Sequence, residues 1–249
     1  MKLLVHGFKD QSMYSLFNRL ASCLEANGQH QVLFSNQERS SDTKAIRDIL
    51  KTTRPDVVIF NKKTQLPSKS NTRSLYLDVS KIEPFAYLPQ SKQQELSPLY
   101  SCDVVYIGNP MVFGEGLKIL TESEFAFKFF EQRPAFVSGY CGSLNGASVS
   151  QDVIIRSAKA AVTMPTDKYR LLNIIASGGN PVVFQNPDQF YQDIAKAIKG
   201  VKFFAGISRD DIKDAHTSHD RMIEFLRRVG LSNMVSTVIE NKKSAWGTK

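Results

Sequence analysis

Short runs of β-branched and aromatic residues alternate with amphipathic segments of helical length along almost the whole chain. Residues 55–60 form a strand-length apolar run without polar alternation, which is typical of a strand buried on both faces. Residues 169–176, in contrast, place their leucines and isoleucines at helical spacing. Repeated strand–helix units pair their strands in parallel and cover both faces of the sheet with helices. The sequence therefore predicts an α/β fold.

The alternation lapses once, between residues 80 and 101, where Pro84, Pro89 and Pro98 interrupt it and a linker is expected. We therefore predict two compact Rossmann-like domains that face a cleft, residues 1–100 and 101–249, with the last helix free to pack back on the first domain. The predicted strands are 2–5, 31–34, 55–60, 75–79, 103–108, 135–140, 160–164, 181–184 and 201–204. The predicted helices are 12–26, 42–52, 116–132, 150–159, 169–176, 186–198 and, as one or two helices, 209–228.

Charge and composition limit the environment and the partners. The 32 Lys and Arg exceed the 24 Asp and Glu, for a formal net charge of +8. Such an excess suits a polyanionic partner such as nucleic acid, and it equally suits a merely solvated basic surface. No run approaches the ~20 apolar residues that span a bilayer. Three cysteines without metal-ligand spacing favour reduced, buried thiols and a cytoplasmic location.

Several catalytic motifs are missing from the sequence. The first strand is not followed by GxGxxG, and the chain contains no GxxxxGK[ST], HExxH, CxxC or GxSxG. Dinucleotide, P-loop, metalloprotease and serine hydrolase chemistry therefore lack their characteristic residues. In open parallel sheets, ligands bind outside the carboxyl ends of the strands, so the candidate residues lie there.

Two candidates follow strands of the first half. Asp78 comes at the end of the strand predicted over residues 75–79, where its carboxylate could take a proton from a hydroxyl or could cap the next turn. Gly7 follows the first strand, where it leaves room for a ligand or simply makes a tight turn.

The second half offers the two ends of one helix. Lys168 and Arg170 lie in its first turn, where positive side chains and the helix dipole favour a phosphate; a solvated first turn is the alternative. Past its other end come Ser177, Gly178 and Gly179, which predict a left-handed C-cap, a wall of a ligand site, or both.

Several of these segments resemble glycosyltransferases of the GT-B fold. Residues 155–190, IRSAKAAVTMPTDKYRLLNIIASGGNPVVFQNPDQF, are similar to the donor-binding half of that group. Residues 215–221, AHTSHDR, resemble the His-Thr…Arg stretch of spore-maturation-type glycosyltransferases. DVVYIGNP at 103–110, and the LYL before Asp78 with Pro84-Phe85 after it, resemble the T-even phage DNA β-glucosyltransferases.

The resemblance implies a metal-independent enzyme that moves a hexosyl or pentosyl group from a nucleotide-sugar, such as a UDP-sugar, without a further cofactor. Asp78 would be the general base, and Gly7 would lie on the acceptor side. The donor-binding residues would be Gly108, Lys168, Tyr169, Arg170, Ser177, Gly178 and Gly179. The acceptor would be a hydroxymethylated pyrimidine in double-stranded phage DNA, flipped out of the duplex in the host cytoplasm.

Two alternatives stay open. The acceptor could instead be a protein or a cell-surface glycan. The chain could also be a non-catalytic nucleic-acid-binding protein on a decayed GT-B scaffold. Met111 and Glu115 favour this second alternative, because they stand where the phage family has donor-binding arginines, and so does Asn173, where GT-B enzymes commonly have Glu.

Overall fold

The structure is a computed structural model of the chain, and it describes residues 1–6, 20–35, 43–60, 72–76, 95–131, 140–143 and 151–246. The chain divides into two compact units: unit 1 is Met1–Glu83 with Ser218–Lys249, and unit 2 is Pro84–Thr217. Each unit contains one parallel sheet, which confirms the predicted α/β class. Domains 1–100 and 101–249 stay a prediction, since contacts in the folded chain do not test which parts fold independently.

Strands and helices alternate through most of the described chain, and four α-helices follow the last described strand. The strands within the described residues are β1 (Lys2–His6), β2 (Gln31–Ser35), β3 (Val57–Phe60), β4 (Arg73–Tyr76), β5 (Cys102–Ile107), β6 (Phe127–Glu131), β7 (Tyr140–Ser143), β8 (Ala158–Thr163) and β9 (Pro181–Val183). The helices there are α1 (residues 20–25), α2 (Thr43–Thr53), α3 (Gly114–Glu122), α4 (Gln151–Ser157), α5 (Lys168–Ala176), α6 (Pro187–Ile198), α7 (Arg209–Ala215), α8 (Ser218–Arg228) and α9 (Val235–Trp246). None of these described helices is long and apolar enough to cross a membrane.

Unit 1 has the strand order β2-β1-β3-β4, with every described pair parallel. Helices α8 and α9 belong to this unit and are joined to α1 by buried polar contacts. The Cys23 thiol donates to Ser218 Oγ at 3.2 Å, and Asn241 Nδ2 donates to the Cys23 carbonyl at 2.9 Å. Each contact satisfies polar atoms that would otherwise be costly to bury, so the pairs fix how the C-terminal helices pack.

Unit 2 has the strand order β7-β6-β5-β8-β9. Counted from its own first strand, this order is 3-2-1-4-5, the order of dinucleotide-binding Rossmann sheets. Helices α3 and α6 cover one face of the sheet, around Tyr106, Phe113 and Phe190, while α4 and α5 cover the other, around Val105 and Ile174. The continuous apolar strands are explained by this burial on both faces.

One predicted helix is wrong in its second half. The helix expected over residues 116–132 ends at Glu122, and residues from Phe127 onward form β6. Ser123 terminates the helix, because its hydroxyl and its backbone N–H both donate to the Leu120 carbonyl. The following run, Phe-Lys-Phe-Phe-Glu, is rich in aromatic residues that favour a strand, and Phe129 is fully buried at the centre of the core.

The short strand predicted over residues 201–204 is also wrong, since these residues form no strand. The backbone N–H of Val201 donates to Lys196 O at 3.0 Å, and Gly200, with φ +94°, closes the same turn after α6. The Val201 carbonyl accepts from Asn180 Nδ2 at 2.9 Å. The N–H of Val201 is therefore used by the end of α6 and its carbonyl by the Asn180 side chain, so neither group is left for a sheet. Cys141, expected to be buried, is exposed, whereas Cys23 and Cys102 are buried.

The double glycine after α5 ends the helix in a Schellman motif. Gly178 has φ +80°, and its N–H donates to Ile175 O at 2.9 Å; the N–H of Gly179 donates to Ile174 O at 2.9 Å. Gly178 is the left-handed residue, and a Cβ there would meet nothing within 4 Å. A Cβ on Gly179 would lie 2.4 Å from Ile155 Cγ2 on α4. The two glycines therefore serve different purposes, one conformational and one in packing.

We expect alanine to destabilise both positions for different reasons. Gly178→Ala should lower the free energy of unfolding by about 1 kcal/mol through its left-handed backbone, and Gly178→Asn should lower it less. Gly179→Ala should lower it by ~2 kcal/mol, because α4 and α5 must separate. Urea unfolding of the three variants measures this ranking. A Gly179→Ala variant as stable as wild type would show that α4 does not pack this closely.

Buried His219 makes the stability of unit 1 depend on pH. Its side chain is 1% exposed, and Nδ1 is buried without a hydrogen-bond partner among the described residues. Burial lowers the pKa of His219 to about 4, with Asp220 opposing and Lys242 reinforcing the shift. The unfolded chain therefore binds a proton below pH 6.5 that the folded chain refuses until about pH 4, so stability falls as the pH falls through this window.

We expect His219→Gln to remove part of this pH dependence. Between pH 7 and pH 4 the wild type should lose about 3 kcal/mol more than the variant. His6 and His30 also have pKa values lowered by burial, so the measured quantity is the difference between the two proteins. Urea unfolding of both proteins at intervals of half a pH unit measures this difference in the free energy of unfolding. Parallel curves would contradict the neutral, buried state of His219.

Candidate functional site

The strand order of unit 2 singles out one place for a ligand. β5 and β8 are neighbours in the sheet, but the chain leaves β5 towards β6 on one side and β8 towards β9 on the other. Their connections therefore diverge, and an open crevice forms outside their carboxyl ends. Gly108 follows β5 there, and Thr163 ends β8 before the turn into α5. The candidate site is this carboxyl edge.

The turn from β8 brings a carboxylate and a guanidinium together at the start of α5. Asp167 is the N-cap, and its Oδ1 accepts the Arg170 backbone N–H at 2.9 Å. Its Oδ2 accepts from Arg170 Nε at 3.0 Å. The helix N-terminus is thus already stabilised by a carboxylate, and a phosphate would have to share or displace it. Lys168, by contrast, is exposed in the same turn.

Arg170 also has a nitrogen that this pair leaves unused. Its Nη1 is buried and has no hydrogen-bond partner among the described residues. Arg170 also lines a cavity between the sheet and helices α4 and α5, whose other walls are Val105, Ile107, Gln151, Ile155, Ala161, Val162 and Ile174. A buried N–H without an acceptor costs free energy, and an anion bound beside it would recover that cost.

The cavity is smaller than a whole nucleotide. Its volume is about 10 Å³, room for about one water molecule, whereas sites for small molecules commonly measure ~300 to 1,000 Å³. Most of its walls are apolar, and Gln151 and Arg170 supply the polar groups. The cavity itself therefore has room for little more than a water, and a ligand of Arg170 would lie outside the carboxyl edge.

Tyr106 and Gly108 shape the other side of the edge. The Tyr106 hydroxyl donates to the Asn109 carbonyl at 3.2 Å, and a Cβ on Gly108 would lie only 2.6 Å from that hydroxyl. Burial raises the pKa of Tyr106 to about 12; the charge of Arg170 opposes this shift, and Asp167 reinforces it. The phenol is therefore neutral at physiological pH. Gly108 is needed so that the backbone can pass over this ring.

The residues predicted for a donor site separate into two groups. Gly108, Lys168, Tyr169 and Arg170 lie at the carboxyl edge of the unit 2 sheet. Ser177, Gly178 and Gly179 lie at the other end of α5, before β9 begins. The nine residues of α5 rise ~13 Å, so the two groups lie at opposite edges of the sheet.

The two predicted residues of the first half, Gly7 and Asp78, lie outside the described residues. The described part of β1 ends at His6, which is 1% exposed at the carboxyl end of a central strand. Within the described ranges, no three His, Cys, Asp or Glu side chains come together as a metal site requires. The role of Asp78 and the independence from metals stay predictions.

Sequence reasoning did not single out Tyr106 or Gln151 as part of this site. Tyr106 stands in an otherwise aliphatic strand, two residues before a glycine, and this polar tip near a strand end was the available signal. Gln151 begins α4 and carries no comparable signal, because only the packing of α4 on the sheet brings it to the cavity.

The comparisons with known proteins add no family to this geometry. No protein-family model matches the chain, and no curated protein matches it. The candidate site therefore depends on the residues and distances given above.

Proposed function

We propose that the protein is a glycosyltransferase that binds the diphosphate of a nucleotide-sugar at the carboxyl edge of unit 2 and transfers the sugar to a hydroxyl group. The preferred acceptor is a hydroxymethylated pyrimidine in DNA, and a protein or cell-surface glycan is the alternative acceptor. The resemblance to GT-B glycosyltransferases and the Rossmann strand order of unit 2 both support a nucleotide ligand.

The observation that carries the proposal is the unused guanidinium nitrogen of Arg170. A buried, permanently charged donor beside the opening between β5 and β8 fits a phosphate oxygen. Lys168, exposed in the same helical turn, adds a second positive charge. Gly108 lies at the end of β5, where a diphosphate would approach the backbone, although the Tyr106 ring already excludes a side chain there.

The proposed chemistry divides between two groups of residues. Asp78 removes the proton from the acceptor hydroxyl, and the hydroxyl oxygen of the acceptor forms a bond to the anomeric carbon of the sugar. The bond from that carbon to the diphosphate oxygen breaks, and the nucleoside diphosphate leaves with the electron pair. Arg170 and Lys168 stabilise the negative charge that develops on this leaving group. No metal ion is required in this scheme.

A second candidate is a nucleic-acid-binding protein without transferase activity. The ion pair between Asp167 and Arg170 favours it, because a carboxylate at the helix N-terminus opposes a diphosphate there.

One experiment tests both candidate functions. The protein is incubated with hydroxymethylated and unmodified DNA and a mixture of nucleotide-sugars, and the nucleosides are then weighed by mass spectrometry. A mass increase of one sugar on the modified base supports transfer; binding without any increase supports the second candidate.

We expect Arg170→Gln to weaken the binding of nucleoside diphosphates by about 10- to 100-fold, because a hydrogen bond to a charged group contributes ~1.5 to 3 kcal/mol. Titration calorimetry with UDP and with the other nucleoside diphosphates measures the change. The control is Lys196→Gln on α6, which removes an exposed positive charge from the same unit. Equal affinities of wild type and Arg170→Gln for the nucleoside diphosphates would show that the diphosphate does not bind at Arg170.

Asp167→Asn should act in the opposite direction. Asparagine caps a helix about as well as aspartate, so the fold should keep its stability. Removing the carboxylate releases the Arg170 guanidinium and ends the repulsion of a phosphate, so affinity should rise at least about threefold. The control is Asp188→Asn in the first turn of α6. Weaker binding by Asp167→Asn would show that the carboxylate assists the ligand instead of competing with it.

A further inference from the structure

The positive charge of the chain belongs to one unit. Unit 1 contains 19 Lys and Arg and 11 Asp and Glu, whereas unit 2 contains 13 of each. The whole net charge of +8 therefore lies on unit 1, and unit 2 is neutral. Solubility does not require the net positive charge to lie on one unit. A polyanionic partner that contacts only unit 1 would require it.

Five exposed cations of unit 1 lie at the amino edge of its sheet. We call the basic edge the set Lys51, Arg54, Arg73, Arg227 and Arg228. α2 ends immediately before β3, and Val57 at the start of β3 pairs with Arg73 at the start of β4. Arg73 Nη2 donates to the Val229 carbonyl at 3.4 Å, which brings the end of α8 to the same place. β3 and β4 are neighbouring strands ~4.8 Å apart, so cations from α2, β4 and α8 lie at one end of the sheet.

Most of these cations have no carboxylate partner. Among the described residues, Lys51, Arg54, Arg73 and Arg227 form no ion pair, while Arg228 pairs with Glu224. The carboxylate closest in sequence, Asp56, is occupied by the Lys2 backbone N–H at 2.6 Å. The side chains of the basic edge are exposed. Among the described residues, all of them except Arg228 are therefore free to contact an anion without first breaking an ion pair.

Arg54 occupies a backbone position that favours glycine. Its φ is +44°, the one positive φ of a non-glycine residue among the described residues. It follows the last turn of α2, and its N–H donates to Leu50 O at 2.9 Å. Glycine is the residue usually found at such a left-handed helix end, and a side chain there strains the backbone. An arginine in this place retains a guanidinium at the expense of stability, which is characteristic of functional positions.

We infer that the basic edge of unit 1 binds the phosphodiester backbone of nucleic acid without reading its sequence. Four of its five cations are arginines, whose planar guanidinium matches phosphate oxygens better than an ammonium does. Contacts to phosphates alone give affinity and no base preference. This edge lies opposite the carboxyl ends of the unit 1 strands, so the contact is additional to any acceptor site there, and it does not depend on sugar transfer.

The test measures binding of the full-length protein to an unmodified 30-base-pair duplex at several salt concentrations, without nucleotide-sugar. The test variant is the triple substitution Arg54→Gly, Arg73→Gln and Arg227→Gln. The matched control removes three exposed cations from unit 2, by Lys118→Gln, Lys199→Gln and Arg209→Gln. Because both variants lose the same charge, their difference reports where the charge lies.

We expect the triple variant of unit 1 to bind at least about tenfold more weakly near physiological salt, with a log–log salt slope reduced by about 3, while the unit 2 control stays close to wild type. Arg54→Gly alone should raise the urea midpoint and still weaken binding, which separates the loss from unfolding. The inference is overturned by equal effects of the two triple variants, or by wild-type DNA affinity of the unit 1 variant. Wild-type binding to vesicles of phosphatidylcholine with 30% phosphatidylserine but not to DNA would overturn it too. A failure of sugar transfer leaves these outcomes unchanged.

Discussion

Parallel strand pairing is the constraint on which the remaining features depend. A parallel strand can follow its neighbour only if the chain first returns to the starting edge of the sheet, as α3 does between β5 and β6. The carboxyl ends of all strands in a sheet therefore lie at one edge. The helix that follows a strand begins at this edge and ends at the opposite, amino edge. Arg170 and Gly108 lie at the carboxyl edge of unit 2 for this reason, and Gly178 and Gly179 lie at the amino edge for the same reason.

The contact between Asp167 and Arg170 is the central electrostatic feature of unit 2. The carboxylate pairs with the guanidinium and also caps α5, so it stabilises the start of this helix. In the proposed function, a diphosphate beside this pair would gain the unused Nη1 and would have to tolerate the carboxylate. Its net affinity would be the difference between these two terms. Asp167 would thus set how tightly a nucleotide is held as well as where.

Sequence reasoning reached the fold class and most elements, because strand burial and helix amphipathicity are local patterns. It failed at a local signal in residues 116–132, where the stop at Ser123 was missed, and at residues 201–204, where another segment supplies a hydrogen bond. The Val201 carbonyl is taken by Asn180, and a pattern of residues cannot show this contact. The candidate site was predicted in part: Gly108 and Arg170 could be placed from strand order, but the unused nitrogen of Arg170 depends on the packing of α4 and α5. The division of charge between the units required the finding that α8 and α9 belong with the first sheet.

The most direct measurement follows the side-chain Nε–Hε resonance of Arg170 by NMR while UDP or another nucleoside diphosphate is added. Comparison with the spectrum of Arg170→Lys assigns the resonance, and exposed Arg209 serves as the reference. If the guanidinium of Arg170 receives the diphosphate, its resonance shifts in a saturable manner at low ligand concentration while that of Arg209 stays in place. A nucleotide that binds tightly without moving the Arg170 resonance, or a panel of nucleotides that does not bind, would contradict the proposed site.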